Sequence, residues 1–419
     1  MEPDGRAVAP RLPRFNPFQP GFRANPYPAY TALRTHNPVH QSLGRWVVTR
    51  HTDVRRLMMD RTLSVGHVPA TLRALAERNG DLTAGRVLEF AEKSIVFTDG
   101  AEHRRLRKAV SPFFSPAALS ALRKTFADLC GEIVVGLLAH GGEIDIVEAF
   151  AQAVPDRLLG HLFALDDKGV GDVRRGTGII RKLLEPRAAS GAEIEEAVAS
   201  LDTVLAAFAR GRQRLGDDRN AGPGMMLRLL DGLGQSGGPL QAAETELMAV
   251  MVYVAGLETT AGLIANACLA LAEHPGEQRV LRRDPARAEA VVRETLRHEA
   301  PLQLTMRTAV APIVMPEVTI PEGATILLCL GSANRDEEAY EEPNRFLVDR
   351  AGPPHLAFGT GLHACLGAVL AQLEAEAAVT VLVGAAELER AGDGELDWSA
   401  RSTLLRMPER LPMTLRHVS

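Results

Sequence analysis

Residues 355–367 read His-Leu-Ala-Phe-Gly-Thr-Gly-Leu-His-Ala-Cys-Leu-Gly, and a helix is predicted from about Cys365 to Val383. The glycines allow the backbone to fold tightly where larger side chains would collide. The predicted helix presents backbone N–H groups and the positive end of its dipole to the cysteine sulfur. Such surroundings favour the thiolate, which is the form of cysteine that binds metal ions. The loop therefore indicates a metal-binding thiolate at Cys365.

A buried structural cysteine is the alternative for Cys365, because most free cysteines behave as small hydrophobic residues. The neighbouring residues argue against it, since every fixed position of the pattern Phe-Gly-x-Gly-x-His-x-Cys-x-Gly is filled. These positions are Phe358, Gly359, Gly361, His363, Cys365 and Gly367. Phe358 can cover the sulfur and limit its access to water, and the glycines can lie under a flat macrocycle. We therefore expect a metal ligand rather than a packing residue.

The loop resembles the ligand loop of the cytochrome P-450 superfamily, in which a cysteine thiolate holds the haem iron. The resemblance covers nearly the whole chain, with further landmarks at Asn25-Pro26-Tyr27-Pro28 and from Trp46 to Asp53. It implies haem b with Cys365 as the axial ligand of its iron. It also implies that four residues of the loop bind the cofactor, namely Phe358, Gly361, His363 and Gly367.

The predicted secondary structure agrees with that superfamily, because helical patterns dominate from about Glu102 onward. Helices are predicted at 103–110, 116–139, 145–163, 169–185, 192–215, 223–231, 242–273, 276–283 and 286–298. Strands are predicted at 46–50, 305–309, 318–320 and 325–329, with a short helix at 53–60. We expect a mainly α fold with a minor β portion and a long central helix over the haem. A single domain would span 1–419, with an extended N-terminal arm at 1–30.

Residues 247–272 are mostly apolar and would be long enough to cross a bilayer, which takes about 20 residues. Glu258, Thr259, Thr260 and Asn266 interrupt this segment near its middle. Acidic residues inside membranes are rare and costly. We therefore expect a core helix that is apolar all round because it is buried all round.

This helix contains the motif Ala-Gly-Leu-Glu-Thr-Thr at residues 255–260. The simplest interpretation is a threonine hydroxyl that bonds back to the carbonyl of Ala255, a common arrangement in helices. The resemblance implies a sharper role. Ala255 and Gly256 would lie against the cofactor and leave room for dioxygen. Glu258 and Thr259 would be the catalytic acid–alcohol pair that delivers protons.

Glu294 and Arg297 lie one helical turn apart and therefore share a face. A surface ion pair with this spacing would contribute little to stability. The resemblance implies a structural pair that holds the core around the haem and is completed by a later arginine. Arg345, in the segment 343–346, is the expected third member, and Arg350 is the fallback.

His103 and Arg107 also share a helix face and match the positions that bind the haem propionates in the superfamily, as does Arg307. Planar guanidinium groups suit two-pronged binding of carboxylates. A solvated basic stripe, or a docking site for an acidic electron donor, is the alternative for the residues between them. These residues are Arg104, Arg105 and Lys108.

Composition limits the remaining function classes. The chain has 419 residues, 46% of them hydrophobic, and a formal net charge of −5. This balance argues against nucleic acid or an anionic membrane as the main partner. The separated cysteines lack a C-x-x-C pair, which favours a reducing cytoplasm. Residues 1–14 have no apolar core, so neither a signal peptide nor a membrane anchor is expected.

The resemblance implies a soluble, bacterial-type haem monooxygenase, expected as a monomer. It would insert one atom of O2 into a lipophilic small molecule of secondary metabolism, by hydroxylation or epoxidation. No dinucleotide or flavin motif is visible, so electrons would come from a separate ferredoxin and ferredoxin reductase. By analogy, the substrate pocket would contain Ile95, Val96, Met251, Gln303, Leu304, Leu404 and Leu405.

Three alternatives remain open at the level of the sequence. The same haem centre could catalyse oxidative coupling or ring formation, or a peroxide-driven oxidation. The acid–alcohol pair disfavours the peroxide-driven reaction. A haem-binding sensor or carrier would be non-enzymatic, and it would have no need of Glu258 and Thr259.

Overall fold

The computed structural model of the protein describes residues 12–79, 84–184, 190–215, 223–235, 238–392, 394–400 and 402–418. Helices form most of these ranges. In chain order they are α1 (Pro20–Ala24), α2 (Tyr27–His36), α3 (His51–Met59), α4 (His67–Asn79), α5 (Ala84–Lys93), α6 (Gly100–Val110), α7 (Pro116–Leu119), α8 (Arg123–His140), α9 (Ala153–Leu162), α10 (Asp167–Arg181), α11 (Gly191–Gln213), α12 (Met225–Leu233), α13 (Ala242–Glu273), α14 (Pro275–Arg283), α15 (Ala288–His298), α16 (Leu330–Ala333) and α17 (Ala368–Ala385). A π-helical segment, Val147–Gln152, leads into α9.

The strands form three small sheets. They are β1 (Val39–Ser42), β2 (Arg45–Val48), β3 (Leu63–Ser64), β4 (Glu143–Asp145), β5 (Leu304–Ala309), β6 (Ile313–Val314), β7 (Thr319–Ile320), β8 (Thr325–Cys329), β9 (Ala386–Arg390) and β10 (Pro412–His417). The largest sheet has the order β1-β2-β8-β5-β3, and its β2 and β8 strands run parallel. In its antiparallel pair β5–β8, Leu304 lies opposite Cys329. The other sheets have the orders β4-β10-β9 and β6-β7.

The 32-residue helix α13 runs through the centre of the molecule and packs against α9, α12, α15 and α17. The side chain of Gln241 and that of Glu244 form a capping box at its start, which satisfies free backbone N–H groups there. Both α13 and α17 are long and apolar enough to cross a membrane. The most apolar part of α13 is 72% buried inside the protein, so the predicted core helix is confirmed.

The fold class is confirmed, because the hydrophobic core lies mainly between helices and the sheets contribute smaller clusters. Most predicted helices are present, with ends displaced by a few residues. The extended arm predicted at 1–30 is wrong over its second half, where α1 begins at Pro20 and α2 at Tyr27. Residues 1–11 of that arm lie outside the described residues. Phe15 and Tyr30 are buried, so aromatic packing holds this segment against the largest sheet.

Candidate active site

The loop before α17 adopts its shape through two glycines with positive φ. Gly359 has φ +67° and Gly361 has φ +75°, a region that other residues rarely adopt. A Cβ atom at Gly361 would lie 3.2 Å from the backbone oxygen of Met58. Gly361 is therefore required for close packing against α3, and it does not line the cavity described below. The N–H of Cys365 donates to the carbonyl of Phe358 at 2.7 Å and closes the loop.

Cys365 lies deep in the molecule, yet its side chain is accessible from an internal cavity. Helix α17 begins three residues later, at Ala368, so the predicted start at Cys365 is slightly early. Burial raises the pKa of the Cys365 thiol, and the N–H of Gly367 and the charge of Arg107 partly offset this effect. Since a coordinated cation deprotonates a thiol outright, the thiolate here depends on the metal as well as on the loop.

The cavity has a volume of about 410 Å³ and lies between α13, α6, β5 and the cysteine loop. Six of the predicted pocket residues line it, namely Ile95, Val96, Met251, Leu304, Leu404 and Leu405. Gln303 does not. Its side chain donates to the carbonyl of Ala300 at 2.8 Å and accepts from the hydroxyl of Tyr30 at 3.4 Å, beside a smaller cavity. Neighbouring residues of an extended chain point to opposite sides, which explains why Leu304 faces the main cavity and Gln303 does not.

Helix α13 forms one wall of the cavity with Ala255, Gly256, Glu258 and Thr259. The hydroxyl of Thr259 donates to the carbonyl of Ala255 at 2.6 Å, as in the simplest interpretation of this motif. Glu258 forms an ion pair with Arg181, at the end of α10, with 2.5 Å between Oε2 and Nε. Both residues line the cavity. The sequence does not predict this ion pair, because only the packing of α10 on α13 brings Arg181 close to Glu258.

A group of basic side chains lines the cavity near the cysteine. His103 and Arg107 come from α6, Arg307 comes from β5, and His363 comes from the loop. The rings of His103 and His363 have centroids 4.2 Å apart. Arg107 donates to the carbonyl of Ala364, and Arg307 to that of Met306, each at 2.7 Å.

The sequence profile of the cytochrome P450 family matches residues 189–413. Cytochrome P450 107B1 of Saccharopolyspora erythraea is 31% identical over 96% of this chain and 98% of its own length. The chain belongs to the cytochrome P450 family. The 6-deoxyerythronolide B hydroxylase of the same organism is 30% identical over 94% of this chain and 97% of its own. The crystal structure of CalO2 superposes with a TM-score of 0.84 at 29% identity, covering 97% of this chain and all of CalO2.

The protein is thus a cytochrome P450 monooxygenase with a haem iron cofactor, and two arginines that line the cavity, Arg107 and Arg307, fit that cofactor. Burial lowers the pKa of Arg307 to about 10, and burial with the charges of His363 and Arg107 lowers that of His103 to about 4. Within the described ranges, neither Arg107 nor Arg307 has a carboxylate at ion-pair distance. Buried cations without counter-ions are costly. The two propionates of haem b would supply the missing negative charge.

Besides the ring of His103, His363 contacts an acidic residue that the sequence did not indicate. Its Nε2 lies 3.2 Å from Oδ1 of Asp99, just before α6. Burial alone would raise the pKa of Asp99, but hydrogen bonds from His363, Ser64 and Val65 lower it below its ordinary value. Asp99 therefore remains charged and orients the histidine ring. An aspartate directly before a helix is a common N-cap residue. The sequence therefore did not distinguish Asp99 from an ordinary cap.

The structural pair of this P450 is present, but its third member is not Arg345. Arg297 donates to both oxygens of Glu294, at 2.9 and 2.8 Å, and both side chains are nearly inaccessible. Arg350 completes the group with its Nε 3.1 Å from Oε1 of Glu294. Arg345 instead forms an exposed ion pair with Glu342. The turn at 342–350 directs Arg350 inward, so the fallback residue is the correct one.

The three basic residues between and beside the predicted haem ligands of α6 have different surroundings in the structure. Arg105 donates to Glu102 on its own helix and lies 2.5 Å from Glu244 at the start of α13. It is therefore part of a contact between two helices. Arg104 and Lys108 are exposed. These two remain available for a partner on this surface.

Proposed function

We propose that Cys365 is the axial ligand of haem b and that the enzyme oxidises a lipophilic small molecule of secondary metabolism. The overall reaction would be RH + O2 + 2e⁻ + 2H⁺ → ROH + H2O. Bound haem supplies the activation of dioxygen. The observation that carries the proposal is one cavity in which Cys365, Thr259 and a set of apolar side chains face the same space. Apolar walls with few polar groups are typical of sites for small lipophilic ligands.

The residues around the cavity would have separate tasks. Arg107, Arg307, His103 and His363 would bind the two propionates, since no carboxylate in the described part of the chain neutralises the two arginines. Ala255 and Gly256 are small residues, so they would leave space in the cavity beside α13. Leu404 and Leu405, which also line the cavity, would contact the substrate.

Proton delivery would involve Glu258 and Thr259. In the described structure, Glu258 is held by Arg181 and Thr259 by the carbonyl of Ala255. Protonation of Glu258 therefore requires its ion pair with Arg181 to open. This would couple proton entry to a movement of the end of α10. Thr259 would exchange its backbone partner for dioxygen.

The electron donor would be a separate ferredoxin with its reductase, in the cytoplasm. Arg104 and Lys108 project from α6, whose Arg107 donates to the loop at Ala364, next to Cys365. Exposed cations near the metal ligand would attract an acidic protein and raise its association rate at low salt. The relative that hydroxylates 6-deoxyerythronolide B supports hydroxylation of a secondary metabolite as the reaction class.

The test is turnover of candidate lipophilic compounds by the haem-loaded protein with ferredoxin, reductase and isotopically labelled dioxygen. Compounds are first selected by the shift they produce in the Soret band. Incorporation of one labelled oxygen atom into the product supports the proposal. A product that gains no oxygen would indicate oxidative coupling, and turnover with peroxide alone at the full rate would indicate a peroxygenase. Thr259→Ala with unchanged product formation would refute the assigned proton delivery.

A further inference from the structure

Residues 402–405 form part of one wall of the cavity and are held between two short antiparallel segments. Residues 397–399 lie antiparallel to residues 407–409 and form backbone hydrogen bonds of 3.0 and 2.7 Å with them. The members of the 402–405 segment that line the same cavity as Cys365 are Ser402, Leu404 and Leu405. Since these side chains border the cavity, the position of the 402–405 segment determines which ligands the cavity can hold.

Backbone hydrogen bonds join this segment to the chain that leads into β5. The N–H of Gln303 donates to the carbonyl of Leu404 at 2.8 Å. The N–H of Arg406 donates to the carbonyl of Pro301 at 2.7 Å. Pro301 and Leu302 also line the cavity. The two stretches of chain therefore form one continuous wall.

This wall lies directly against α13. The side-chain amide of Asn266 donates to the carbonyl of Arg406 at 3.1 Å and to that of Glu299 at 2.9 Å. A Cβ atom at Gly262 would lie only 3.2 Å from Cβ of Pro301, so a glycine is needed for this close approach. The backbone of the wall is thus fixed to the helix that carries the predicted proton-delivery residues.

The side chain of Arg406 joins the wall to the N-terminal part of the chain. Its Nε donates to Oε1 of Glu299 at 2.7 Å. Its Nη1 and Nη2 donate to the carbonyls of Arg23 and Ala24, at the end of α1, at 2.6 and 3.1 Å. The guanidinium carbon lies 3.5 Å from the centre of the Trp398 ring. Because a guanidinium group is planar and all three of its nitrogens are bonded here, these contacts fix one position of the Arg406 side chain.

Tyr27 and Arg335 hold the acidic partner of Arg406. The hydroxyl of Tyr27 donates to Oε1 of Glu299, and Nη2 of Arg335 lies 3.6 Å from Oε2 of the same carboxylate. The guanidinium carbon of Arg335 lies 3.5 Å from the centre of the Tyr27 ring. Residues 23–27 therefore support the cavity wall through Arg406 and Glu299, although none of them lines the main cavity.

Close packing alone does not hold this wall. The smaller cavity beside Gln303 has a volume of about 50 Å³ and lies next to the main cavity. Both cavities are lined by Leu304, Ser402 and Leu405. Side chains that border empty space lose the contacts of a close-packed interior. Loss of the Arg406 side chain, which also lines the smaller cavity, would therefore let the 402–405 segment move into that space.

We propose that Arg406 is a positioning residue that sets the shape of the cavity, and with it the range of ligands that bind. It fixes the 402–405 segment against residues 23–27 and acts on a ligand only through Leu404 and Leu405. The inference rests on the proposed function, because it requires haem and a substrate in this cavity. It adds the N-terminal segment to the parts of the chain that determine specificity.

The first test compares imidazole with 4-phenylimidazole, two ligands that bind haem iron through nitrogen, by titration of the Soret band of the haem-loaded protein. Only the second ligand adds a phenyl group, so the ratio of the two dissociation constants measures the fit to the cavity walls. In Arg406→Met, 4-phenylimidazole should bind about tenfold more weakly, since a small misfit in an apolar pocket costs about 10–200-fold. The dissociation constant of imidazole should stay unchanged.

Two control variants separate positioning from a loss of stability. Arg410→Met removes an exposed arginine four residues further along, which is paired with Asp145 at 3.3 Å, and it should leave both dissociation constants unchanged. Arg350→Met removes a buried arginine that does not line the cavity, so it should destabilise the protein without altering their ratio. An unchanged ratio in Arg406→Met, or an equal change in Arg350→Met, would overturn the proposal. A wild type whose Soret band does not respond to imidazole would instead contradict the haem assignment.

The second test asks whether Arg406 acts through the two leucines. Arg406→Met is introduced into a Leu404→Ala, Leu405→Ala background, and the two dissociation constants are measured again. The change in their ratio should be much smaller than in the wild-type background, because residues that act through one another are not additive. An equal change in both backgrounds would show that Arg406 acts elsewhere and would refute its positioning role.

Discussion

The buried charge group on α15 gives a prediction that separates the two arginines considered for it. Glu294 accepts hydrogen bonds from Arg297, from the N–H of Leu347 at 2.9 Å and from Arg350. Glu294→Gln removes its charge and leaves two largely buried guanidinium groups without a counter-ion. Breaking a buried pair in this way costs about 3–5 kcal/mol. With a urea m-value of about 3 kcal/mol/M, the unfolding midpoint should fall by roughly 1–1.7 M.

The matched control is the ion pair of Arg345 with Glu342, which has the same chain spacing but is exposed. Arg345→Met should leave the urea midpoint of the haem-loaded protein unchanged, whereas Arg350→Met should lower it nearly as much as Glu294→Gln. Hydrogen bonds from Arg297, Leu347 and Arg350 lower the pKa of Glu294 although burial opposes them. Its contribution is therefore complete at neutral pH and is lost as the pH falls through the lowered pKa. Equal effects of the two arginine variants would refute the assignment of Arg350.

Three further changes have distinct expected outcomes. Arg307→Met removes a buried cation that lines the cavity, so haem should transfer to an acceptor apoprotein at least about tenfold faster, as followed in the Soret band. Thr259→Ala should lower product formed per electron pair by about 10–10²-fold with haem content unchanged, and full retention of that ratio would contradict the role of the hydroxyl. Gly361→Ala should destabilise the protein by about 1–2 kcal/mol in urea unfolding, because its φ is positive and Met58 is close. Gly323→Ala, with positive φ but open space around the added Cβ, should cost less than Gly361→Ala.

The features that the sequence predicted correctly depend on short-range patterns. The fixed spacing around Cys365 requires a tight glycine turn followed by a helix, and both are local properties. The long apolar run identified α13 as a core helix, because only burial on all sides explains such a composition. The shared face of Glu294 and Arg297 also follows from helical geometry alone.

The features that the sequence missed depend on how distant elements pack. Arg181 and Glu374 reach the cavity from α10 and α17, and neither lies in a motif. The choice between Arg345 and Arg350 is made by a turn that no spacing rule describes. The prediction for Gln303 was wrong because a shift of one position at the start of a strand reverses the side to which a side chain points. Each of these errors concerns orientation or long-range contact rather than the type of element.

The most direct measurement is the absorption spectrum of the dithionite-reduced protein under carbon monoxide, recorded for the wild type and for Cys365→His. The wild type should show a strongly red-shifted Soret band, because a thiolate donates electron density to the haem iron. The variant should bind haem through the same basic side chains but show an ordinary haem–carbon monoxide band. A normal band in the correctly folded wild type, or a red-shifted band retained in Cys365→His, would contradict the assignment of Cys365 as the axial ligand.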